Sequence, residues 1–441
     1  MQPPDPVSRR KFIAATSSGV VAASVGSATF SSEKPSTSLA IDGGQPAVTE
    51  SVSDWVRWGA PERARLDAMV DQSSLFYWNG PQTTAFIERF RQHCPSHHVQ
   101  TCSSGTAAIH IAAAAAGIGP GDEVITSPIT DIGTVIGVLF QQAVPVFADV
   151  EPETYNLSPA DVAGKITART KAIIAVHLAG NPCDLQKLKA LADKHDLILI
   201  EDCAQAWGTR SQGRAIGTVG DIGCFSLMNS KHITTGDGGV VASSHEAFGP
   251  LLQRFGDKGT DRVDGSPLQA LASNYRMSET QAAVGAAQLE RLEGIATRRQ
   301  KLGRILTDQI TDVAGIRPHH VNVEDRCTYW FYMFRMDPGK FRCDRAQLVK
   351  AMRAEGVPAS AGYIKRPLYA EPMFQDHSFF AGRWPAKDMG LTTMDYRTVH
   401  CPETEAVLET AIRIPVREHM TASYIHQVAA GIRKVAGHFV V

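Results

Sequence analysis

Neither sign of charge prevails in this chain: 44 basic and 45 acidic side chains leave a net charge of −1. That balance gives no electrostatic reason to expect nucleic acid or an anionic membrane surface as a partner. Cysteine is sparse and scattered. Cys94, Cys102, Cys183, Cys203, Cys224, Cys327, Cys343 and Cys401 form no CxxC pair and no metal-like cluster, so they read as mostly free, buried thiols. Cys102 and Cys203 lie beside segments of chemical interest, but small-residue packing explains them best. His93, His97 and His98 read as a polar surface patch. Downstream of residue 28 no apolar run is long enough to span a bilayer, and there is no internal repeat. What remains is an ordinary globular composition, 43% hydrophobic and 20% charged, over 441 residues. That length suits a large domain and a smaller one.

The N-terminus differs from the rest. Arg9-Arg10-Lys11 precedes Phe12-Ile13-Ala14-Ala15, then a mildly apolar Ala/Val/Ser-rich stretch to Ala28 and a polar linker over 31–38. A charged start and a short apolar core describe a leader rather than a folded element, and the paired arginines resemble a twin-arginine export signal. The competing reading is a disordered basic tail. The leader implies a periplasmic or envelope-associated protein, exported already folded, with cleavage after Ala23 or Ala28 or retention as an anchor. A leader that does not function implies a cytoplasmic one.

Between residues 100 and 245, apolar segments of strand length alternate with helical patterns. Strands are expected at 123–126, 144–148, 172–176, 197–201, 222–227 and 239–242. This implies a mainly parallel sheet covered on both faces. Residues 39–100 read as helical and irregular, with a helix over 57–71 and a turn at 77–81. Ser278 and Gln281 match a capping box at the start of a long amphipathic helix over 278–303, on which Leu289, Leu292 and Ile295 recur at helical spacing. A strand over 329–334 and helices over 344–355 and 421–436 complete the chain. The expected division is a leader and linker at 1–38, a large α/β domain at 39–303 and a small α+β domain at 304–441.

Three segments carry chemistry. Lys231 lies between the apolar run Phe225-Ser226-Leu227-Met228 and the turn Thr234-Thr235-Gly236-Asp237-Gly238-Gly239. A lysine stripped of part of its hydration there becomes a nucleophilic amine suited to Schiff-base formation, above all with pyridoxal 5′-phosphate (PLP). The bland alternative is a surface lysine at a turn. Asp202 ends the apolar run Leu197-Ile198-Leu199-Ile200, at the strand end where open α/β sheets bind ligands. It is the candidate partner of the pyridine nitrogen, with a helix N-cap as the alternative. Glu201 is the weaker choice, because adjacent strand residues point to opposite faces. Finally, Ser103-Ser104-Gly105-Thr106-Ala107 precedes an alanine-rich helix, a ready phosphate cradle and equally an ordinary cap. Together the three provide the contacts a PLP site requires: phosphate, ring nitrogen and aldehyde.

From Leu39 to the C-terminus the chain resembles the DegT/DnrJ/StrS aminotransferases, sugar-modifying members of fold-type I PLP enzymes. The resemblance rests on Leu39-Ala40-Ile41-Asp42-Gly43-Gly44, Gly119-Pro120-Gly121-Asp122-Glu123-Val124-Ile125, and Pro145-Val146-Phe147-Ala148-Asp149-Val150. It continues with Glu201-Asp202-Cys203-Ala204-Gln205-Ala206, the Lys231 segment and Asn274-Tyr275-Arg276-Met277-Ser278-Glu279. The resemblance implies that Lys231 binds the cofactor aldehyde and moves the proton, Asp202 pairs with the ring nitrogen, and Gln205 lies near the ring hydroxyl. It further implies that Gly105, Thr106, Ala107 and Ser226 hold the phosphate. Asn274 would reach the site of a partner subunit in a homodimer. The implied reaction moves an amino group from glutamate or glutamine to a keto sugar or cyclitol. Such substrates are cytoplasmic metabolites, which conflicts with an export leader. One departure stands out. Asp131 occupies the position where the family often has an aromatic side chain over the cofactor, and it becomes a candidate substrate contact together with His232. A dehydratase or lyase reaction, or a non-catalytic regulatory or saccharide-binding role on the same scaffold, are the alternatives.

Overall fold

The computed structural model describes residues 38–268 and 270–441. The leader and most of the linker lie outside the described residues. Ser38–Val441 form one compact unit built on two main sheets, with a two-stranded ribbon at Arg210–Ser211 and Arg214–Ala215.

The larger sheet has seven strands. In chain order these are β1 (His98–Cys102), β2 (Glu123–Thr126), β3 (Val144–Phe147), β4 (Thr170–Val176), β5 (Ile198–Asp202), β6 (Ile222–Ser226) and β7 (Gly239–Ser243). Their spatial order is β1-β7-β6-β5-β4-β2-β3. The pairs from β6 through to β3 are parallel, and β7 alone runs against its neighbours. The cause is legible in the residues: β3 is a continuous apolar run, β2 and β5 are apolar except for Glu123, Thr126, Glu201 and Asp202 at their ends, and nearly every residue of the three is buried, as suits parallel strands covered on both faces. Helix Gly105–Ala115 lies against one face through its buried alanines, together with Val124, Ile174, Ile200 and Val241. The other face packs Phe86, Phe90, Trp207, Phe225 and Leu289 with Ile125, Ile173 and Leu199. Strand β1 falls in the stretch expected to be irregular. Its mixed polar sequence hides its place at the sheet edge, where only its last three residues are buried.

The smaller sheet is antiparallel, in the order β8 (Ile316–Pro318), β9 (Tyr332–Met336), β11 (Ala411–Ile414) and β10 (Ser360–Ala361). Helices Arg345–Ala354 and Ala422–Phe439 pack their apolar stripes onto it, capped at their N-termini by Asp344 and Thr421.

Two expected elements are drawn differently. The helix over 278–303 is two helices, Glu279–Leu289 and Leu292–Ile310, with the predicted Ser278/Gln281 capping box in place. At the break, Gln288 and Arg291 both donate to the Arg57 carbonyl and to Glu62, so their side chains serve a neighbouring segment. The strand over 329–334 begins only at Tyr332. Thr328 N and Trp330 N donate instead to Gly180 O (3.1 Å) and Ala179 O (2.9 Å), and Tyr329 takes φ +44°. This detour matters below, because it delivers Trp330 to the C-terminal edge of the large sheet.

Candidate active site

The C-terminal ends of the parallel strands converge on one region, as is general for ligand sites in open α/β sheets. Asp202 closes β5, Ser226 closes β6, and Lys231 follows in the loop after β6. Residues 128–134 follow β2 and residues 177–181 follow β4.

Lys231 is only 6% exposed. Burial pulls its ammonium down to about 8, against the opposing pull of the Asp202 and Asp131 carboxylates. Its Nζ makes no hydrogen bond among the described residues; it lies 3.7 Å from the centroid of the Trp330 indole. That indole is itself fixed, donating from Nε1 to Ser230 O at 2.8 Å. The backbone of the loop is held from outside by Arg57. Its guanidinium donates to the carbonyls of Asn229, Lys231 (2.5 Å) and His232 (2.8 Å), and it stacks 4.1 Å from the Trp55 ring centroid.

Asp202 is buried, with Oδ2 accepting from Thr134 Oγ1 at 2.8 Å and Oδ1 from Ala204 N at 3.0 Å. Thr134 is in turn 2.7 Å from Thr130 Oγ1. Burial raises the Asp202 carboxyl above its ordinary range, partly offset by the Ala204 amide, the Thr134 hydroxyl and Lys231. Such a group gains from a cationic partner. Glu201 points the other way, as strand alternation requires: it accepts from Gly217 N, Val219 N and Gly220 N and lies 3.1 Å from His177 Nε2.

The phosphate cradle is the N-terminus of helix Gly105–Ala115. Ser104 caps it, with Oγ accepting from Ala107 N at 3.0 Å. The Ala107 amide, expected among the phosphate donors, is therefore taken by the cap. The amides of Gly105 and Thr106 have no acceptor among the described residues, as the first turn of a helix dictates. Gly105 must be glycine here: a Cβ would fall 2.7 Å from Ser226 Cβ. The Ser226 backbone is pinned by Trp207 Nε1 at 2.7 Å.

Other expected residues divide. Gln205 is at the site, its Oε1 accepting from Ala179 N (2.9 Å) and its Nε2 donating to Tyr363 Oη (3.3 Å). Asp131 is exposed and stands within electrostatic reach of Lys231 and Tyr363, with Oδ1 accepting from Gly133 N at 2.8 Å. His232 is different: it is fully buried, Nε2 lies 3.1 Å from Thr328 O, and burial beside Arg299 depresses its basicity strongly. A substrate contact was expected of it, yet its ring has no access to solvent. Asn274 is exposed, its Oδ1 accepting from Arg276 Nε, and joins none of these contacts within one chain. Sequence reasoning missed Arg57, Trp330 and Tyr363. Trp330 was read only as part of a strand, and the other two belong to no motif.

The site as built fits PLP. It offers an amine free of hydrogen bonds, a buried carboxylate and two open helix-terminal amides beside a serine hydroxyl. The profile of the DegT/DnrJ/EryC1/StrS aminotransferase family matches residues 60–433. The chain belongs to this family. It is a PLP-dependent aminotransferase of fold type I. A GDP-perosamine synthase of Caulobacter vibrioides is 36% identical over 290 residues, covering 66% of this chain and 77% of the relative. An L-glutamine:2-deoxy-scyllo-inosose aminotransferase of Streptomyces kanamyceticus is 34% identical over 364 residues, covering 78% and 84%. Among solved structures, the aminotransferase from Psychrobacter cryohalolentis superposes with a TM-score of 0.79 at 28% identity, covering 88% of this chain and all of that one. All eight cysteines are free, seven of them buried, and burial pushes the Cys102 thiol up to about 12. No helix among the described residues is long and apolar enough to cross a membrane.

Proposed function

We propose that this aminotransferase moves an amino group from glutamate or glutamine to the carbonyl of a keto sugar or keto-cyclitol. The observation that carries the chemistry is the buried Lys231 amine, without a hydrogen bond, on the same strand-end surface as Asp202. The substrate class rests on one relative named as a synthase of GDP-perosamine and another named as an aminotransferase of 2-deoxy-scyllo-inosose.

PLP, when bound, supplies an electron sink that stabilises negative charge at the carbon losing its proton. The rest is the work of this chain. Lys231 Nζ would hold the cofactor through its aldehyde carbon, and its amine would take the proton from the donor's α-carbon and return one to the amine-bearing carbon of the acceptor. A base poised near 8 is matched to that task. Asp202, held by Thr134 and Ala204 N, would keep the ring nitrogen of the bound cofactor protonated. The Gly105 and Thr106 amides and the Ser226 hydroxyl would hold the phosphate, and Gln205 would serve the ring hydroxyl. Asp131 faces the substrate side in place of an aromatic. The protein works as a homodimer in which Asn274 reaches the partner's site, and residues 1–38 direct export by the twin-arginine route.

Incubation with ¹⁵N-labelled donor and a panel of keto sugars and keto-cyclitols tests the reaction. Labelled nitrogen in an amino product is expected. Loss of a hydroxyl without nitrogen gain would replace transamination with a dehydratase-type reaction. Cell fractionation with Arg9 and Arg10 both replaced by Lys tests the leader; export unchanged by the replacement would refute it.

A further inference from the structure

A cavity of about 60 Å³ lies beside the lysine loop, bounded by Trp55, Ser230, Arg299, Trp330, Arg413 and Arg417. With Phe331 and Pro415 these make eight lining residues, three of them arginines. Arg299 is 1% exposed; its Nε pairs with Glu418 Oε2 at 2.8 Å, its Nη1 donates to Val416 O at 3.0 Å, and its Nη2 is buried without a partner. The Arg413 side chain makes no hydrogen bond or ion pair among the described residues. Its Nε is buried and unpartnered, and its guanidinium rests 5.0 Å from the Phe331 ring centroid. Arg417 is exposed, with its guanidinium 4.5 Å from the Trp55 ring centroid, and its side chain likewise has no acidic partner among the described residues. The carboxylate at hand, Glu418, is already shared between Arg299 and the Trp55 indole N–H at 2.7 Å. Positive charge is therefore gathered around a small space without matching negative charge, which is costly unless a ligand supplies it.

We infer that this cavity is an oxyanion site, taking a carboxylate or phosphate group carried by a substrate. Guanidinium forks match both groups in bidentate geometry. The cavity is large enough for one such group. Trp330 connects the site to the chemistry, since the same indole lines the cavity and contacts Lys231 Nζ. A molecule anchored here by its anionic end shares a wall with the reactive amine. The source of the anion rests on the aminotransferase reading: a carboxylate if the amino donor anchors here, a phosphate if an activated sugar does.

The test is calorimetric titration of the full-length, cofactor-loaded protein with glutarate and, separately, inorganic phosphate. Saturable binding of at least one is expected, weakened roughly tenfold by Arg413→Gln and by Arg417→Gln, with partial recovery in Arg413→Lys. Binding of glutarate alone assigns the site to the donor's carboxylate, and binding of phosphate alone assigns it to a phosphorylated acceptor. No saturable binding of either anion, or binding unchanged in both variants, overturns the inference. The Arg413 side chain has no hydrogen bond among the described residues to lose, its strand pairing is made by the backbone, and Arg417 is exposed, so neither variant threatens the fold. Conversion of the cofactor band by glutamate is read in the same preparations. Conversion with unchanged anion binding removes the cavity site and leaves the aminotransferase reading. Arginine-dependent anion binding without conversion by any amino donor does the reverse.

Discussion

Lys231 owes its reactivity to two opposed effects: burial strips water from the ammonium, while Asp202 and Asp131 favour its charge. The sign is fixed by which wins. With burial dominant, the amine is neutral above about pH 8 rather than above the ordinary lysine range. Capture of PLP by the cofactor-free protein is expected to accelerate through that pH. Asp131→Asn keeps an oxygen for Gly133 N but removes a charge that holds the proton on. The midpoint of the capture rate against pH is therefore expected to move lower, and a midpoint that stays or rises would show that Asp131 does not act on Lys231. At this scale the sequence was readable where a residue type is rare in its setting, as with one lysine among small and apolar neighbours. It was silent on Arg57 and Tyr363, since a lone arginine or tyrosine carries no spacing to read.

Elements place these residues. The helix at Gly105–Ala115 approaches β6 so closely that an added methyl at Gly105 meets Ser226. Gly105→Ala is expected to weaken cofactor affinity at least tenfold while leaving the Lys231 titration in place, as equilibrium dialysis would show. The lysine loop has no regular structure and is held by Arg57 instead. Arg57→Ala leaves buried carbonyls of Lys231 and His232 without a donor, at about 1–3 kcal/mol each. A lower melting temperature and slower PLP capture are expected, with only partial rescue by Arg57→Lys, which lacks the planar fork. Equal behaviour of wild type and Arg57→Ala would contradict that role. The sheet was legible because its parallel strands are centred on short apolar runs separated by helical patterns. Trp330 was not, because an aromatic run looks the same whether it pairs in a sheet or, as here, bonds first to the Ala179–Gly180 turn. Ala107 was misplaced for a related reason: its position fits a phosphate donor, but Ser104 competes for the same amide.

At the scale of the whole molecule, the site described within one chain lacks any contribution from exposed Asn274. If Asn274 serves the partner's site, mixing inactive Lys231→Ala chains with impaired Asn274→Ala chains restores one complete site per hybrid dimer. Activity above that of either parent is expected; no recovery in hybrids confirmed by mass would place Asn274 outside the site. The central claim, that Lys231 binds PLP and passes through an amino-transfer cycle, is tested most directly by an absorbance spectrum of the purified protein before and after adding glutamate, with Lys231→Ala alongside. The account predicts a Lys231-dependent cofactor band that converts to the aminated cofactor on addition of the donor. The same band and conversion in Lys231→Ala would contradict it.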